Sequence, residues 1–554
     1  MRWWDRCPGR LDREVEHLKS RGFSTNFDSS LVQRDFVQID ATYSHEAREY
    51  HLRIVFPHLY PYFRPQVFAT GISAPHHQNP FDGNLCLLGR NSDNWDPTSL
   101  IADVIKQQLP KLLESEIIAD SGGSPDEELQ AEPWTEYLAP NTEFRIAWNS
   151  NIEVPEGTTG KIELRFQAQC DTYRAYVNRV TTAGGTDLFA AMSSIIPEAK
   201  ATMRVSFIRL REAPPGDLNK IARLTEDRLP DFRPQGLVRR LTTHTRGTLL
   251  ALFYPEETAH RRTGLGLVFV LFTNKGLGYI KTYRDEGAAE PSRLGKYGDV
   301  RDKKLLLVGF GSLGSCVAAG LCKLGVRQIT IVDRDPLEPG NTSRHYLGVN
   351  YFGMEKAEAA ADAFKGAYPY STIIPLVYKL GDSGPETIER NQEFLTAFED
   401  SDLVVDCSAE RGVQHFLSDS SRLSNKQYVF VEGYPGMLGG FIGFIDPATG
   451  PCYYCFLRSI EGGSTRLPPI LANGLIQPAG CGEPTFIGTG FDADTLGNAA
   501  VRLVFATFSK GIYPRRSSNY YLASFASDDT SSSRVVIEPV NISKTSGCAI
   551  CGTP

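Results

Sequence analysis

A glycine turn between two apolar segments constrains this chain more than any other feature. The segment "KLLLVGFGSLGSCVAAGLCKLGVRQITIVDRD" is typical of a strand, a tight turn, a helix and a second strand. Gly309, Gly311 and Gly314 give the pattern G-x-G-x-x-G, which lets phosphate groups approach backbone N–H groups at a helix N-terminus. Asp333 ends the second strand, where an acidic residue can hold a ribose hydroxyl. The segment predicts a doubly wound α/β nucleotide-binding fold, but this pattern alone does not separate NAD from ATP.

Three polar side chains beyond Asp333 favour ATP. Asn341 and Arg344 follow in "DRDPLEPGNTSRHYLG", and Lys356 follows in "GMEKAEAA". Two fixed cations and an amide beside a phosphate cradle suit a triphosphate and the charge of adenylyl transfer. A hydride-transfer site does not need them, so an NAD oxidoreductase ranks last among the alternatives.

This part of the chain resembles the ubiquitin-activating enzymes and the adenylating enzymes of molybdopterin and thiamine pathways. The resemblance implies that Asp333 binds ribose. It also implies that Asn341, Arg344 and Lys356 hold the ATP phosphates, with Arg344 acting in catalysis.

The resemblance departs at the magnesium site. The family usually has an Mg²⁺-binding aspartate where this chain, in "DLVVDCSAERG", has Ala409. We expect Asp406 to take over this role, with Glu410 as the second choice.

Four of the eleven cysteines form two C-x-x-C pairs. Cys452 and Cys455 lie in "PCYYC", and Cys548 and Cys551 lie in "GCAIC". Two such pairs are the usual way to build a tetrahedral thiolate site for zinc. We predict a structural Zn²⁺; the alternative is two turns without metal.

Cys481 lies between these pairs, ahead of a predicted helix. A thiol at a helix N-terminus is favoured as the thiolate. The activating enzymes place their acyl-accepting cysteine in this loop, so the resemblance implies that Cys481 is a nucleophile; the alternative is a structural thiol. For Cys316, Cys322 and Cys407, packing in the core is a better explanation than a functional role.

The first 118 residues read as one α+β unit around Cys86. A short amphipathic helix precedes the alternating strands "FVQIDATYS" and "EYHLRIVFPH", and "PTSLIADVIKQQLPKLLES" has helical spacing with a start at Pro97 and Thr98. "VFPHLYPYFRPQVF", "HHQNPFDGNLCLL" and "NWDPTSLIADVI" resemble, in order, three segments of ubiquitin-conjugating enzymes. The resemblance implies that Cys86 is the active-site cysteine; the alternative is an inert ubiquitin-binding relative.

The His-Pro-Asn motif of that family has two possible alignments here. Counting back from Cys86 without a gap gives His76, His77 and Gln78, whereas deleting one loop residue gives His77, Gln78 and Asn79. The second alignment implies that Asn79 supports the loop and stabilises the oxyanion.

The length of 554 residues predicts several domains, and the hydrophobic fraction of 41% and the charged fraction of 22% are ordinary for a globular protein. We assign residues 1–118 to a ubiquitin-conjugating-like domain, 119–132 to a polar linker, 133–298 to a connecting α+β domain without readable chemistry, and 299–554 to a Rossmann-like adenylation domain with the zinc site. The net charge of −7 without a basic block argues against a nucleic-acid partner. Because no apolar run approaches a membrane span and the start lacks a secretion signal, we expect a cytoplasmic protein.

The two modules together resemble bacterial conjugating–activating fusion proteins of cyclic-oligonucleotide antiphage (CBASS) systems and of related ubiquitin-like operons. The resemblance implies that ATP activates the C-terminal glycine of a ubiquitin-like protein or of a nucleotidyltransferase. The acyl group would then pass through Cys481 and Cys86 to an amine, and the enzyme would be a homodimer. A dedicated ubiquitin-like modifier, a sulfur-carrier adenylyltransferase and a catalytically dead scaffold remain alternatives.

Overall fold

The computed structural model divides the chain into two compact units. The first unit comprises residues 1–191 and 200–284, and the second comprises 192–199 and 285–554. The structure describes residues 2–46, 48–72, 77–88, 95–120, 132–139, 141, 143–169, 172–191, 196, 199, 201–232, 239–240, 246–259, 262–285, 300–382, 387–448, 450–471, 473–476, 485–509, 514 and 516–552. The finer boundaries at 118, 132 and 298 remain predictions.

The N-terminal part of the first unit is a four-stranded antiparallel sheet in the order β1-β2-β3-β4, with helices before and after it. Its elements are α1 (Trp3–Arg6), α2 (Arg10–Ser20), β1 (Ser24–Phe27), α3 (Ser29–Gln33), β2 (Val37–His45), β3 (Arg48–Phe56), β4 (Gln66–Thr70) and α4 (Ile101–Asp120). Both strands predicted from alternation are confirmed. Alternate residues of β2 point inward because successive strand side chains face opposite sides of a sheet.

The predicted start of α4 at Pro97 and Thr98 is wrong. The carboxylate of Asp96 accepts hydrogen bonds from the Thr98 backbone N–H at 2.7 Å and from its hydroxyl at 2.8 Å. Such a local turn competes with helix formation, so the helix begins at Ile101. Its start is fixed by buried Glu14 of α2, which accepts the Ile101 N–H at 3.1 Å.

The rest of the first unit is a ten-stranded mixed sheet. Its main path runs β13-β12-β11-β9-β6-β7-β5-β14, with β10 paired to β11 and β8 paired to β7. The elements are a 3₁₀ helix (Trp134–Tyr137), β5 (Phe144–Asn149), β6 (Thr159–Gln169), β7 (Thr172–Thr182), β8 (Asp187–Ala190), β9 (Ala201–Arg209), α5 (Leu218–Arg228), β10 (Arg239–Arg240), β11 (Arg246–Ala259), β12 (Arg262–Thr273), β13 (Gly276–Ile280) and β14 (Thr282–Asp285).

The second unit contains an eight-stranded sheet in the order β17-β16-β15-β18-β19-β20-β23-β24 and a separate two-stranded ribbon. Its strands are β15 (Lys304–Val308), β16 (Gln328–Val332), β17 (Thr372–Leu376), β18 (Leu403–Asp406), β19 (Gln427–Gly433), β20 (Gly439–Ile445), β21 (Leu475–Ile476), β22 (Thr485–Phe486), β23 (Tyr520–Ala526) and β24 (Ser533–Val540). Its helices are α6 (Ser312–Lys323), α7 (Lys356–Ala367), α8 (Ile388–Asp400), α9 (Arg411–Leu423), α10 (Tyr453–Glu461) and α11 (Gly490–Phe508), with 3₁₀ turns at Pro339–Ser343 and Val349–Tyr351.

Strands β17 to β19 of this path are parallel, and β20, β23 and β24 continue it antiparallel. The chain leaves β15 for β16 and β17 on one side and then crosses to β18 on the other. The strand order therefore reverses between β15 and β18, which is where doubly wound sheets bind ligands. This confirms the predicted α/β class of the C-terminal part.

Candidate active sites

The glycine turn lies at the reversal point, at the carboxyl end of β15. A Cβ added to Gly309, whose φ is +85°, would lie 2.7 Å from the Ser408 backbone nitrogen, and one on Gly314 would lie 1.9 Å from the Gly309 carbonyl oxygen. At Gly311, no atom of the described residues lies within 4 Å of such a Cβ. Packing therefore requires two of the three glycines, and the third leaves room beside the N-terminus of α6.

A cavity opens in front of this turn and brings three predicted residues together. Asn341, Arg344 and Lys356 all line it. The remaining lining residues are Gly311, Ser312, Leu313, His345, Cys407, Ser408 and Ala409. A glycine turn, a helix N-terminus and two cations at one cavity have the chemistry to hold a polyphosphate.

Local polar contacts hold the residues that carry these side chains. Asn341 Oδ1 accepts the Glu338 N–H at 3.1 Å and thereby caps the 3₁₀ turn that precedes Arg344. The backbone carbonyl of Arg344 accepts the Ser312 hydroxyl at 2.8 Å. Lys356 is only 11% exposed, and its Nζ lies 3.2 Å from Asp335 Oδ2. The backbone of Arg344 and the side chain of Lys356 are thus held by nearby polar groups.

Asp333 is fixed against the glycine turn. One of its carboxylate oxygens accepts the Phe310 N–H at 2.7 Å, and the other accepts the Asp335 N–H at 2.9 Å. Burial raises the pKa of Asp333 despite the nearby charge of Lys356. The described residues that line the cavity do not include Asp333, which lies at the adjoining strand end.

His345 is a site residue that our sequence analysis missed. Its Nδ1 accepts the Leu347 N–H at 3.0 Å, so Nε2 carries the proton that is donated to the Phe310 carbonyl at 2.8 Å. Burial lowers the pKa of this ring and keeps it neutral. His345 thereby ties the segment that carries Arg344 to the glycine turn. The sequence signal that could have identified His345 is its position directly after Arg344.

Asp406, our first choice for the magnesium ligand, is fully buried. Its carboxylate accepts the Ser408 N–H and the Tyr428 hydroxyl, each at 2.8 Å, and burial raises its pKa to about 6. The described cavity lining contains Ala409 and not Asp406. Glu410, the second choice, follows Ala409 directly and is half-buried.

The four cysteines of the C-x-x-C pairs meet at one buried place although they are far apart in sequence. The sulfur of Cys452 lies 3.8 Å from those of both Cys455 and Cys548, and the sulfurs of Cys455 and Cys551 are 3.3 Å apart. The Thr545 N–H donates to the Cys455 sulfur at 3.3 Å. The set of ligand atoms is compact enough to hold one metal ion.

The other cysteines of the second unit divide into two groups. Cys316, Cys322 and Cys407 are buried, and burial raises the pKa of each thiol. These three thiols are therefore poor nucleophiles. Cys481 lies outside the described residues.

In the first unit, Cys86 lies in a loop that is held by backbone hydrogen bonds. The Cys86 N–H donates to the His77 carbonyl at 2.7 Å, and the Asn79 N–H donates to the Asn84 carbonyl at 2.8 Å. The side chain of Asn79 accepts the Phe81 N–H at 2.9 Å, so it closes its own turn. Cys86 itself is half-buried.

The side chain of His77 lies between Cys86 and an acidic residue that our sequence analysis placed in the linker. It hydrogen-bonds to the Cys86 side chain, and its Nδ1 lies 3.1 Å from Glu132 Oε1. Glu132 Oε2 also accepts the His77 backbone N–H at 2.8 Å and the Tyr137 hydroxyl. The sequence offered no local signal for Glu132, because it lies far from Cys86 along the chain.

These contacts shift both pKa values. The hydrogen bonds to Cys86 and then to Glu132 raise the pKa of His77 to about 10. Burial would raise the pKa of Glu132, but hydrogen bonds from His77 and Tyr137 lower it to about 2. At neutral pH the pair is therefore an imidazolium beside a carboxylate.

Comparison with known proteins assigns the two modules. Residues 288–480 match the ThiF family, and residues 25–144 match the Prokaryotic E2 family B. The chain is 27% identical over 564 residues to the uncharacterized protein y4oA of Sinorhizobium fredii, covering 92% of this chain and 91% of y4oA.

Two relatives with functional names match shorter stretches. "Adenylyltransferase and sulfurtransferase UBA4" of Yarrowia lipolytica is 30% identical over 157 residues, covering 28% of this chain and 37% of UBA4. "ATP-dependent ubiquitin transferase-like protein Cap2" of Enterobacter hormaechei is 31% identical over 131 residues, covering 24% of this chain and 21% of Cap2. The chain carries a domain like the ubiquitin-conjugating (E2) enzymes and an adenylyltransferase domain like the ubiquitin-activating (E1) enzymes. It is an ATP-dependent ubiquitin-like activating and conjugating transferase.

Proposed function

We propose that the chain activates the C-terminal glycine of a ubiquitin-like protein or of a target protein and relays it through two cysteines to an amine. The observation that carries this proposal is the cavity that Asn341, Arg344 and Lys356 share with the glycine turn. It provides donors for a triphosphate in a chain that also holds Cys86 in an E2-like domain.

Activation begins with attack of the substrate carboxylate on the α-phosphorus of ATP, which releases pyrophosphate. Arg344 and Lys356 stabilise the negative charge that develops on the phosphates, and Asp333 is placed for the ribose. Gly311 leaves the space through which phosphate oxygens reach the N–H groups of α6. Mg²⁺ would neutralise phosphate charge, and we assign it to Glu410 before Asp406, because the carboxylate of Asp406 is already engaged by Ser408 and Tyr428.

Two thioesters then carry the acyl group. The Cys481 thiolate attacks the acyl adenylate and AMP leaves. The Cys86 thiolate attacks the Cys481 thioester, and an amine finally displaces Cys86.

We also propose that Zn²⁺ is held by Cys452, Cys455, Cys548 and Cys551. Four sulfurs at 2.3 Å from a tetrahedral zinc are about 3.8 Å apart. The Cys452–Cys455, Cys452–Cys548 and Cys455–Cys551 sulfurs are 3.3 to 3.8 Å apart, and all four sulfurs lie within 4.8 Å of one another, which is close to that geometry. The metal would clamp the C-terminal end of the chain to α10.

For the acylated protein, we favour an antiphage nucleotidyltransferase over a dedicated ubiquitin-like modifier, because the two modules together resemble the conjugating–activating fusion proteins of antiphage systems. Sulfur transfer, which the name of UBA4 suggests, is the second candidate. It gives no task to Cys86.

Mass spectrometry of adducts on a Cys86→Ser variant from native cells tests this proposal. We expect the C-terminal glycine of one protein joined to residue 86 as an oxyester that survives reducing agent. Adding Lys356→Ala should abolish the adduct, because it removes a phosphate contact, a loss on the order of 3 kcal/mol in the transition state. The matched change Lys365→Ala, at an exposed position of the same helix, should not.

An equal amount of adduct in the Lys356→Ala variant would refute the assigned ATP site. A thiocarboxylate on the captured protein, without any adduct on residue 86, would select the sulfur-transfer alternative.

A further inference from the structure

We infer that Cys86, His77 and Glu132 form an acyl-transfer triad, with His77 as the base and Glu132 as the residue that positions it. This inference rests on the proposed role of Cys86 as an acyl carrier. It adds a proton acceptor that the thiol itself does not provide.

Two contacts fix the orientation of the His77 ring. Glu132 binds both its Nδ1, at 3.1 Å, and the backbone N–H of the same residue, at 2.8 Å. Because Nδ1 contacts Glu132, we assign the hydrogen bond to the Cys86 side chain to Nε2. The His77 carbonyl also accepts the Cys86 N–H, so the nucleophile and the base are joined through the backbone as well.

Glu132 is itself held in place. The Tyr137 hydroxyl donates to its Oε2, and its backbone N–H donates to Glu257 Oε2 at 3.0 Å. The side chain is only 14% exposed. A half-buried carboxylate on the Nδ1 side of a histidine beside a thiol is the arrangement that activates a nucleophile.

The charged groups around the triad favour an ionised pair. Glu132 is the anion next to His77, and Arg64 is a cation that interacts electrostatically with Cys86. Glu257 and Tyr137 reach Glu132 and not the thiol in the described contacts. The raised pKa of His77 agrees with an imidazolium that stabilises a thiolate.

His77 holds and releases the proton that moves in each of the two acyl transfers. In the ionised pair Nε2 already holds the Cys86 proton, so in the first transfer the bond from the anionic Sγ to the acyl carbon forms and the donor C–S bond breaks. The leaving thiolate takes the proton from the imidazolium. In the second transfer, the neutral Nε2 takes a proton from the attacking amine while the C–S bond breaks and Cys86 leaves as the thiolate, which restores the ionised pair.

Alkylation of the full chain by iodoacetamide, read for each cysteine by mass spectrometry, tests the ionised pair. At pH 6, we expect Cys86 to react about ten-fold faster than Cys7, a half-buried free cysteine of the same unit, because the imidazolium of His77 stabilises negative charge on the neighbouring sulfur. His77→Asn should remove this advantage. Asparagine tolerates the left-handed backbone at this position (φ +62°) and keeps the fold.

Glu132→Gln should reduce the advantage in the same direction, since the amide no longer favours the imidazolium. Glu136→Gln is the matched control, because Glu136 lies in the same segment but pairs with Lys281. A Cys86 alkylation profile between pH 5 and 9 that is the same in wild type, His77→Asn and Glu132→Gln overturns the triad.

Acyl transfer is measured separately with a synthetic glycyl-peptide thioester on a Cys481→Ala background. We expect acylation of Cys86 to slow at least ten-fold in His77→Asn and to remain unchanged in Glu136→Gln. Equal rates in His77→Asn and its parent contradict the triad. Because this donor bypasses ATP and Cys481, failure of the proposed relay leaves the result unaffected.

Discussion

At the scale of single residues, the three glycines of the nucleotide turn have different tasks. Gly309 and Gly314 are required by the protein itself, because a Cβ at either position would collide with backbone atoms. Gly311 borders the cavity and has no such neighbour among the described residues. Only its substitution should separate nucleotide binding from folding.

We therefore predict that Gly311→Ala lowers ATP affinity at least ten-fold and changes the free energy of unfolding by less than about 0.5 kcal/mol. Gly314→Ala should destabilise the second unit by roughly 1–3 kcal/mol, because its Cβ would overlap the Gly309 carbonyl. Calorimetric ATP titration and denaturant unfolding measure the two quantities. A Gly311→Ala protein that binds ATP as well as wild type would remove this glycine from the phosphate site.

At the scale of elements, local patterns predicted what local forces determine. Strands β2 and β3 and the glycine turn followed from alternation and spacing, since one buried face or one tight turn dictates them. The first residue of α4 was wrong because a side chain of Asp96 forms a competing turn. The contact between α10 and the C-terminal cysteines could be predicted although the two are far apart in sequence, because paired C-x-x-C spacing indicates a shared metal site.

We predict that the two C-x-x-C pairs hold a zinc ion that can be removed. Purified protein should contain about one zinc per chain, and chelator or acid should release it, because cysteine thiols must be deprotonated to bind the metal. Cys548→Ser should lower both the zinc content and the melting temperature of the second unit. Cys322→Ser, a buried cysteine away from the cluster, should leave the zinc content intact. Freshly purified, folded protein without zinc would contradict the assignment.

At the scale of the whole molecule, sequence analysis found the two modules but not every residue that joins their chemistry. The predicted nucleotide-site residues from Gly309 to Lys356 lie in one continuous segment of the sequence, so they could be predicted together. Glu132 could not, because its contact with His77 depends on a fold that returns a distant segment to the Cys86 loop. Asp406 was our first choice to replace the aspartate missing at Ala409, and only the structure shows that the core encloses it.

The order of the two carriers tests the central claim most directly. Full-length variants are incubated with ATP and the captured substrate protein, and thioesters are mapped by mass spectrometry without reducing agent. We predict that Cys86→Ala keeps one adduct, at Cys481, and forms no conjugate, whereas Cys481→Ala carries no adduct at either position. A Cys86→Ala protein that conjugates its substrate at the wild-type rate would contradict the relay and would make the E2-like domain a docking module.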